Sequence, residues 1–116
     1  MARILYVPMP AWVHGLALSP SLILIDPSRR DDAVHLAHER EHCDQMRRVG
    51  TVRFWWRYLT DATFRQAAEV GAYRVSYAHA PERLASFATA LSTRYRLRLS
   101  FDTAAQLIAA APAELP

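Results

Sequence analysis

The feature that most constrains the fold is the pentad His38-Glu39-Arg40-Glu41-His42, which lies in a stretch with helical periodicity. On an α-helix, side chains four residues apart share one face about 6 Å apart, so both imidazoles can reach one metal ion. Glu39 lies beside that face, where it can hold a metal-bound water without being a ligand. The pentad therefore requires a helix here and a third ligand from elsewhere, because a catalytic zinc has three protein ligands and a water.

Length and composition predict one globular domain. A chain of 116 residues, 52% hydrophobic and 22% charged, is typical of such domains. The single cysteine, Cys43, excludes an internal disulfide and a cysteine-rich zinc site, and is expected in the core. The 14 basic residues are spread along the chain, which favours a solvated surface over a nucleic-acid interface. With no signal-peptide pattern and no apolar run long enough to cross a bilayer, we expect a cytoplasmic protein without a membrane partner.

The residue pattern predicts an α+β fold, mostly helical, over residues 1–116, with a small N-terminal sheet or hairpin. Short aliphatic and β-branched runs predict strands at 3–7, 13–18 and 22–25. Helices are predicted at 30–49, 62–79, 82–95 and 104–110. The aromatic segment Val52–Leu59 fits either a strand or a short helix, and a helix is favoured because it would fold the next helix back on the first.

Several residues are candidates for the ends of these helices. Gly50 is expected to end the helix that carries the pentad. The predicted N-caps are Ser28 or Asp31 for the pentad helix, Thr60 or Asp61 for the helix at 62–79, and Asp102 for the last one.

Glu69 is the candidate for the third ligand. A metzincin-type extension would need glycine and histidine after the pentad, and the chain has Gln45 and Arg48 at those positions. Glu69 lies among small residues on a later predicted helix, where an unpaired buried carboxylate would be costly. The alternative is an exposed glutamate that pairs with Arg65 four residues earlier.

These residues together resemble the gluzincin class of zinc metallopeptidases, in particular its very small members. The resemblance covers residues 13–78 and lies in the pentad, Gln45, the segment 54–59, and Glu69 followed by Ala72-Tyr73. It implies that His38, His42 and Glu69 bind zinc and that Glu39 is the general base. It departs from the class at Tyr73, where the thermolysin-like pattern has an aspartate that supports the first histidine.

Other residues near the pentad have weaker assignments. Tyr73 and Tyr77 follow Glu69 by one and two helical turns, so that either phenol is a candidate to stabilise an oxyanion; the alternative for both is a place in the core. Gln45 is expected either to orient a ligand or to lie on the helix surface. His35 is the rival metal ligand. His14 and His79 are expected in loops without a role.

The leading hypothesis is a zinc metallopeptidase that hydrolyses a peptide or protein substrate through a metal-bound water activated by Glu39. The sheet at residues 13–25 would offer an edge strand to the peptide. The second hypothesis is a zinc-stabilised structural or interaction protein that hydrolyses nothing. A third is an arginine-rich nucleic-acid binder.

Overall fold

In the computed structural model, which describes residues 2–10 and 13–110, the chain begins with a three-stranded sheet. The strands are β1 (Arg3–Tyr6), β2 (Gly15–Ser19) and β3 (Leu22–Ile25), in the order β1-β3-β2. β2 and β3 form the expected antiparallel hairpin, and β1 pairs with β3 in parallel. β3 is therefore central, which agrees with its run of aliphatic residues, and β2 lies at an edge of the described sheet.

Five α-helices follow within the described residues, so the predicted mostly helical α+β fold is confirmed. They are α1 (Ala33–Val49), α2 (Thr51–Thr60), α3 (Ala62–His79), α4 (Leu84–Arg94) and α5 (Phe101–Ala109), with 3₁₀ turns at Pro27–Arg29 and Pro81–Arg83. The aromatic segment 52–59 is helical, as favoured above. Trp55 is half-buried and Trp56 is exposed, which is expected for adjacent residues about 100° apart on a helix. No helix among residues 2–10 and 13–110 is long and apolar enough to cross a membrane.

The predicted N-caps of α1 and α5 are wrong, whereas the predicted N-cap of α3 and the predicted end of α1 are confirmed. Residues Pro27–Arg29 form a 3₁₀ turn first, so α1 starts later than expected and its N-cap is Asp32, whose carboxylate accepts from the backbone N–H of His35. Ser100 caps α5 through the backbone N–H of Thr103, since the extended residue before Phe101 moves the start of this helix forward. Asp61 caps α3 and Gly50 ends α1, as predicted.

Helix α3 lies between two hydrophobic clusters and holds them together. The first cluster joins the sheet, α1, α2 and α3 and includes Ile23, Met46 and Phe64. The second joins α3 to α4 and α5 and includes Leu91 and Ile108. Since α3 contributes to both, its position is fixed from two sides, which gives the candidate site a rigid wall.

Helices α1 and α3 pack antiparallel, because contacts that move back along α1 move forward along α3. The pairs in contact are Gln45 with Ala68, His42 with Glu69, and His38 with Tyr73. Small residues on α3 permit this close approach. A Cβ on Gly71 would lie only 3.1 Å from the Gln45 side chain, so a larger residue there would require Gln45 to shift by a few tenths of an ångström.

Candidate metal centre

His38 and His42 extend from one face of α1 towards Glu69 on α3. The Nε2 atom of each imidazole lies 3.2 Å from the same carboxylate oxygen, Oε1 of Glu69. All three residues are buried, with 3–7% of their surface exposed. Their ligand atoms lie within 4.8 Å of one another, close enough to bind one metal ion, and no fourth His, Cys, Asp or Glu of the described residues joins the group.

Gln45 determines which nitrogen of His42 carries the proton. Its side-chain N–H donates to the carbonyl of Ala68 at 2.9 Å, and a carbonyl can only accept. The amide oxygen of Gln45 therefore lies on the other side, 2.9 Å from Nδ1 of His42, which must donate to it. A neutral His42 then presents the lone pair of Nε2 to Glu69, and this is the tautomer that binds a metal.

The close contact between His42 and Glu69 requires a positive charge between the two side chains. The lone pair of Nε2 and the carboxylate oxygen are both acceptors, yet they lie 3.2 Å apart. A proton or a metal ion must separate them. Zinc binds such atoms at about 2.0–2.1 Å, and tetrahedral geometry then separates neighbouring ligand atoms by about 3.3 Å. The donor set and the two 3.2 Å separations from Glu69 therefore fit a metal ion such as zinc.

Without a metal, the positive charge is supplied by a proton on His42. Burial lowers the pKa of this imidazole, but the Glu69 carboxylate outweighs burial and raises the pKa to about 9. Burial likewise raises the pKa of Glu69, but His42 and His38 outweigh it and hold this pKa well below its usual range. The metal-free site is thus a buried ion pair in which His42 carries the proton.

Tyr58 restricts how Glu69 can bind. Its hydroxyl donates to Oε2 of Glu69, while Oε1 faces the two histidines. One carboxylate oxygen therefore remains for a metal, and the carboxylate plane is fixed from α2. This contact is not predictable from the sequence, because the aromatic segment predicts packing and not a hydrogen bond to the candidate ligand.

Tyr73, which stands in place of the aspartate of the thermolysin-like pattern, contacts His38 by its ring. The ring centroids are 4.4 Å apart in an edge-to-face arrangement. The Tyr73 hydroxyl lies 2.8 Å from that of Tyr95, so that one of the two donates to the other and one O–H remains to be donated elsewhere. Burial and the nearby Glu69 raise the pKa of both phenols, which keeps that proton in place at neutral pH.

A cleft of about 800 Å³ opens over the three candidate ligands, and Glu39 lines it as well. Residues 13–17, which include the start of the edge strand β2, also line the cleft. Glu39 is buried but is not one of the three residues close enough to share a metal. It therefore lies in the same cleft as the candidate ligands without belonging to their group, and its role as a base stays a prediction.

His35 lies in the cleft but does not join the metal group, so the rival ligand assignment is not supported. Its Nε2 is buried without a hydrogen-bond partner and lies 3.9 Å from Oε2 of Glu39. A Cβ at Gly15 would come within 2.5 Å of that nitrogen, so only glycine leaves room for the ring. Burial lowers the pKa of His35, which keeps it neutral.

The remaining candidates lie away from the metal ligands. Tyr77 packs against the second hydrophobic cluster and does not line the cleft, since eight helical residues carry it about 12 Å along α3 from Glu69. Cys43 is buried in the first cluster, as predicted, and His79 is exposed at the end of α3. His14 was assigned no role, but it lines the cleft and contacts two arginines.

Comparisons with protein-family models, curated proteins and solved structures find no match to this chain. The resemblance to gluzincins consequently rests on the chain's own residues.

Proposed function

We propose that this chain is a zinc-dependent metallopeptidase. The observation that carries the proposal is the convergence of His38 and His42 on one oxygen of Glu69, at zinc-ligand spacing, in a cleft that Glu39 also lines. This is the donor set of a catalytic zinc site, which has three protein ligands and a position left for water. A buried cluster with four protein ligands would instead favour a structural zinc.

Zinc bound at this site would polarise a scissile carbonyl and lower the pKa of a water molecule. Glu39 would accept a proton from the attacking water as its oxygen bonds to the carbonyl carbon. The same carboxyl would then give a proton to the leaving nitrogen as the C–N bond breaks. The products are a carboxylate and an amine, which balance the atoms of peptide and water.

Two further features support a peptide as the substrate. The edge strand β2 forms one wall of the cleft beside the candidate metal ligands, and an extended peptide can add to such an edge by backbone hydrogen bonds. The Tyr73–Tyr95 pair keeps one O–H proton, which can be donated to the oxygen that becomes negative during attack.

The decisive experiment compares wild type, Glu39→Gln and Glu41→Gln after zinc loading. Glu41 is the matched control, because it belongs to the same pentad but bonds to Arg48 outside the cleft. Glu39→Gln should bind one zinc per chain and lose about 10²–10⁴-fold in kcat, the usual contribution of a general base. Glu41→Gln should keep both zinc and activity.

Two outcomes contradict the proposal in different ways. If zinc-loaded wild type cleaves no member of a broad peptide library, the zinc is structural and the second hypothesis holds. If wild type and Glu39→Gln cleave equally well, the proposed mechanism is wrong and another group acts as the base.

A further inference from the structure

A second polar cluster lies in the same cleft, away from the candidate metal ligands. It consists of His14, just before β2, with Arg29 and Arg94 on either side. Nε2 of His14 lies 3.3 Å from an Nη2 of Arg29 and 3.2 Å from Nη2 of Arg94. We call these three residues the arginine cluster.

The arginine cluster carries more positive than negative charge. Asp32 lies 3.6 Å from Arg29, but it also binds Arg83 at 3.3 Å. Arg94 forms no ion pair with a carboxylate of residues 2–10 or 13–110. Asp26, whose carboxylate accepts from backbone N–H groups, also acts on His14. Three guanidinium groups thus outnumber two carboxylates here, whereas Glu39 and Glu69 supply carboxylates at the metal end of the cleft.

His14 brings the two guanidinium groups together without neutralising them. Burial, Arg29 and Arg94 lower the pKa of the imidazole, so it is neutral and its Nε2 accepts from the arginines. Two guanidinium groups that meet at a neutral acceptor repel each other, and a bound anion relieves that repulsion. Guanidinium groups are the usual partners of carboxylates, which they bind through paired, charge-assisted hydrogen bonds.

The arginine cluster lies two ring contacts from a candidate metal ligand. The ring centroids are 6.2 Å apart between His14 and His35 and 6.4 Å apart between His35 and His38. An extended peptide advances about 3.3–3.6 Å per residue, so a segment of about two to four residues spans this distance. Residues 13–17 line the cleft alongside, which gives such a segment an edge strand to follow.

We propose that Arg29 and Arg94 bind a carboxylate of the peptide substrate, from the chain terminus or an acidic side chain, about two to four residues from the metal. This inference rests on the proposed function for the identity of the substrate as a peptide. It assigns the peptidase a preference for substrates that end in, or carry, a carboxylate at that distance.

The test measures binding as well as cleavage, using one short peptide in three forms. The forms have a free terminal carboxylate, a terminal amide, or a terminal amide with aspartate as the last residue. Isothermal titration into zinc-loaded Glu39→Gln protein gives affinities without hydrolysis, and wild type gives kcat/KM. Arg94→Gln and Arg29→Gln test the arginine cluster, and Arg98→Gln is the control because this arginine is exposed and does not line the cleft.

At least one carboxylate form should bind about 10–100-fold more tightly than the plain amide, as expected for a charge-assisted pair. Which form it is distinguishes a chain terminus from an acidic side chain. Arg94→Gln and Arg29→Gln should each bring the ratio of the carboxylate and amide affinities closer to one, whereas Arg98→Gln should leave this ratio unchanged.

Equal binding of all three forms, or an equal loss in Arg98→Gln, overturns the inference. The proposed function fails separately: a carboxylate preference that depends on Arg94, in a protein that cleaves nothing, supports the binding site and contradicts the peptidase. Cleavage without a carboxylate preference supports the peptidase and contradicts the carboxylate-binding site.

Discussion

In the metal-free protein, the stability of this chain should fall as the pH rises from 6.5 to 9. Without metal, His42 must be protonated to balance Glu69, and its pKa is raised from 6.5 to about 9. A raised pKa in the folded state contributes stability that is complete below the unfolded value and is lost as pH passes through the folded value. The ion pair between His42 and Glu69 should therefore be lost as His42 gives up its proton in mildly alkaline solution.

The size of the effect follows from the shift. One pKa unit corresponds to 1.36 kcal/mol, so the rise of the His42 pKa to about 9 is worth about 3 kcal/mol. The same interaction lowers the pKa of Glu69, and its energy is counted only once. His14 and His35 cannot produce this fall, because their lowered pKa values act in the opposite direction: their contribution to stability rises with pH and is nearly complete just above the unfolded value of 6.5.

The assay is urea unfolding of chelator-treated and zinc-loaded protein at half-unit steps from pH 6.5 to 9. With an m-value of about 1–3 kcal/mol/M, the metal-free midpoint should fall by about 1–3 M urea. Zinc-loaded protein should keep or gain stability over the same range, since zinc replaces the proton and binds neutral imidazole. The Cys43 thiol contributes to both curves, and the pKa values of Tyr58, Tyr73 and Tyr95 are raised above the range of the assay, so the difference between the two curves isolates the site.

Two results would refute this reasoning. A metal-free midpoint that stays constant across the range means that no proton is held between His42 and Glu69. If the urea midpoint falls equally with and without zinc, the lost stability comes from groups outside the site.

Three further outcomes are expected. Zinc should bind at one ion per chain, and elemental analysis of untagged protein should find it lost in His38→Ala but kept in His35→Ala; the reverse would reassign the ligands. Tyr58→Phe should lower zinc affinity about 10–100-fold in competition with a chelator, because Glu69 loses the donor on Oε2, and an unchanged affinity would make that bond incidental. Phe64→Ala should lower the free energy of unfolding by about 3–5 kcal/mol in urea, since the ring is fully buried, and a loss under 1 kcal/mol would show that the first cluster repacks.

The parts of the site that depend on local geometry could be predicted from the sequence. The spacing of His38 and His42 fixes their relation on any α-helix. Glu69 was identifiable because a carboxylate among small residues is out of place on a surface helix. Gln45 was one of two alternatives, and its bonds to His42 and to Ala68 select the orienting role.

The parts that depend on packing between distant segments could not be predicted. Tyr58 reaches Glu69 only because α2 folds against α3, and Tyr95 reaches Tyr73 only because α4 ends beside α3. His14 and Arg94 are 80 residues apart in sequence. No sequence pattern relates two residues so far apart, so the sequence predicts only a loop position for His14 and no role.

The predicted starts of α1 and α5 are wrong for a different reason. Neighbouring residues that can each cap a helix compete for the same position. Ser28, Asp31 and Asp32 can each accept a backbone N–H, and the sequence does not rank them. Asp26 accepts from Ser28 and starts the 3₁₀ turn, which leaves Asp32 to cap α1. The choice has a consequence for the cleft, because Asp32 also binds Arg29 and Arg83.

Asp32 thus connects the two halves of the cleft. Its carboxylate accepts from the backbone N–H of His35, one turn before the first candidate ligand, and it forms ion pairs with Arg29 of the arginine cluster and with Arg83. The residue that caps α1 therefore also holds Arg29 and so contributes to the separation between the candidate ligands and the arginine cluster. If a substrate carboxylate is bound at one end while its peptide bond lies at the other, that separation selects the bond, since displacement of about 1 Å is enough to reduce catalysis about 100-fold.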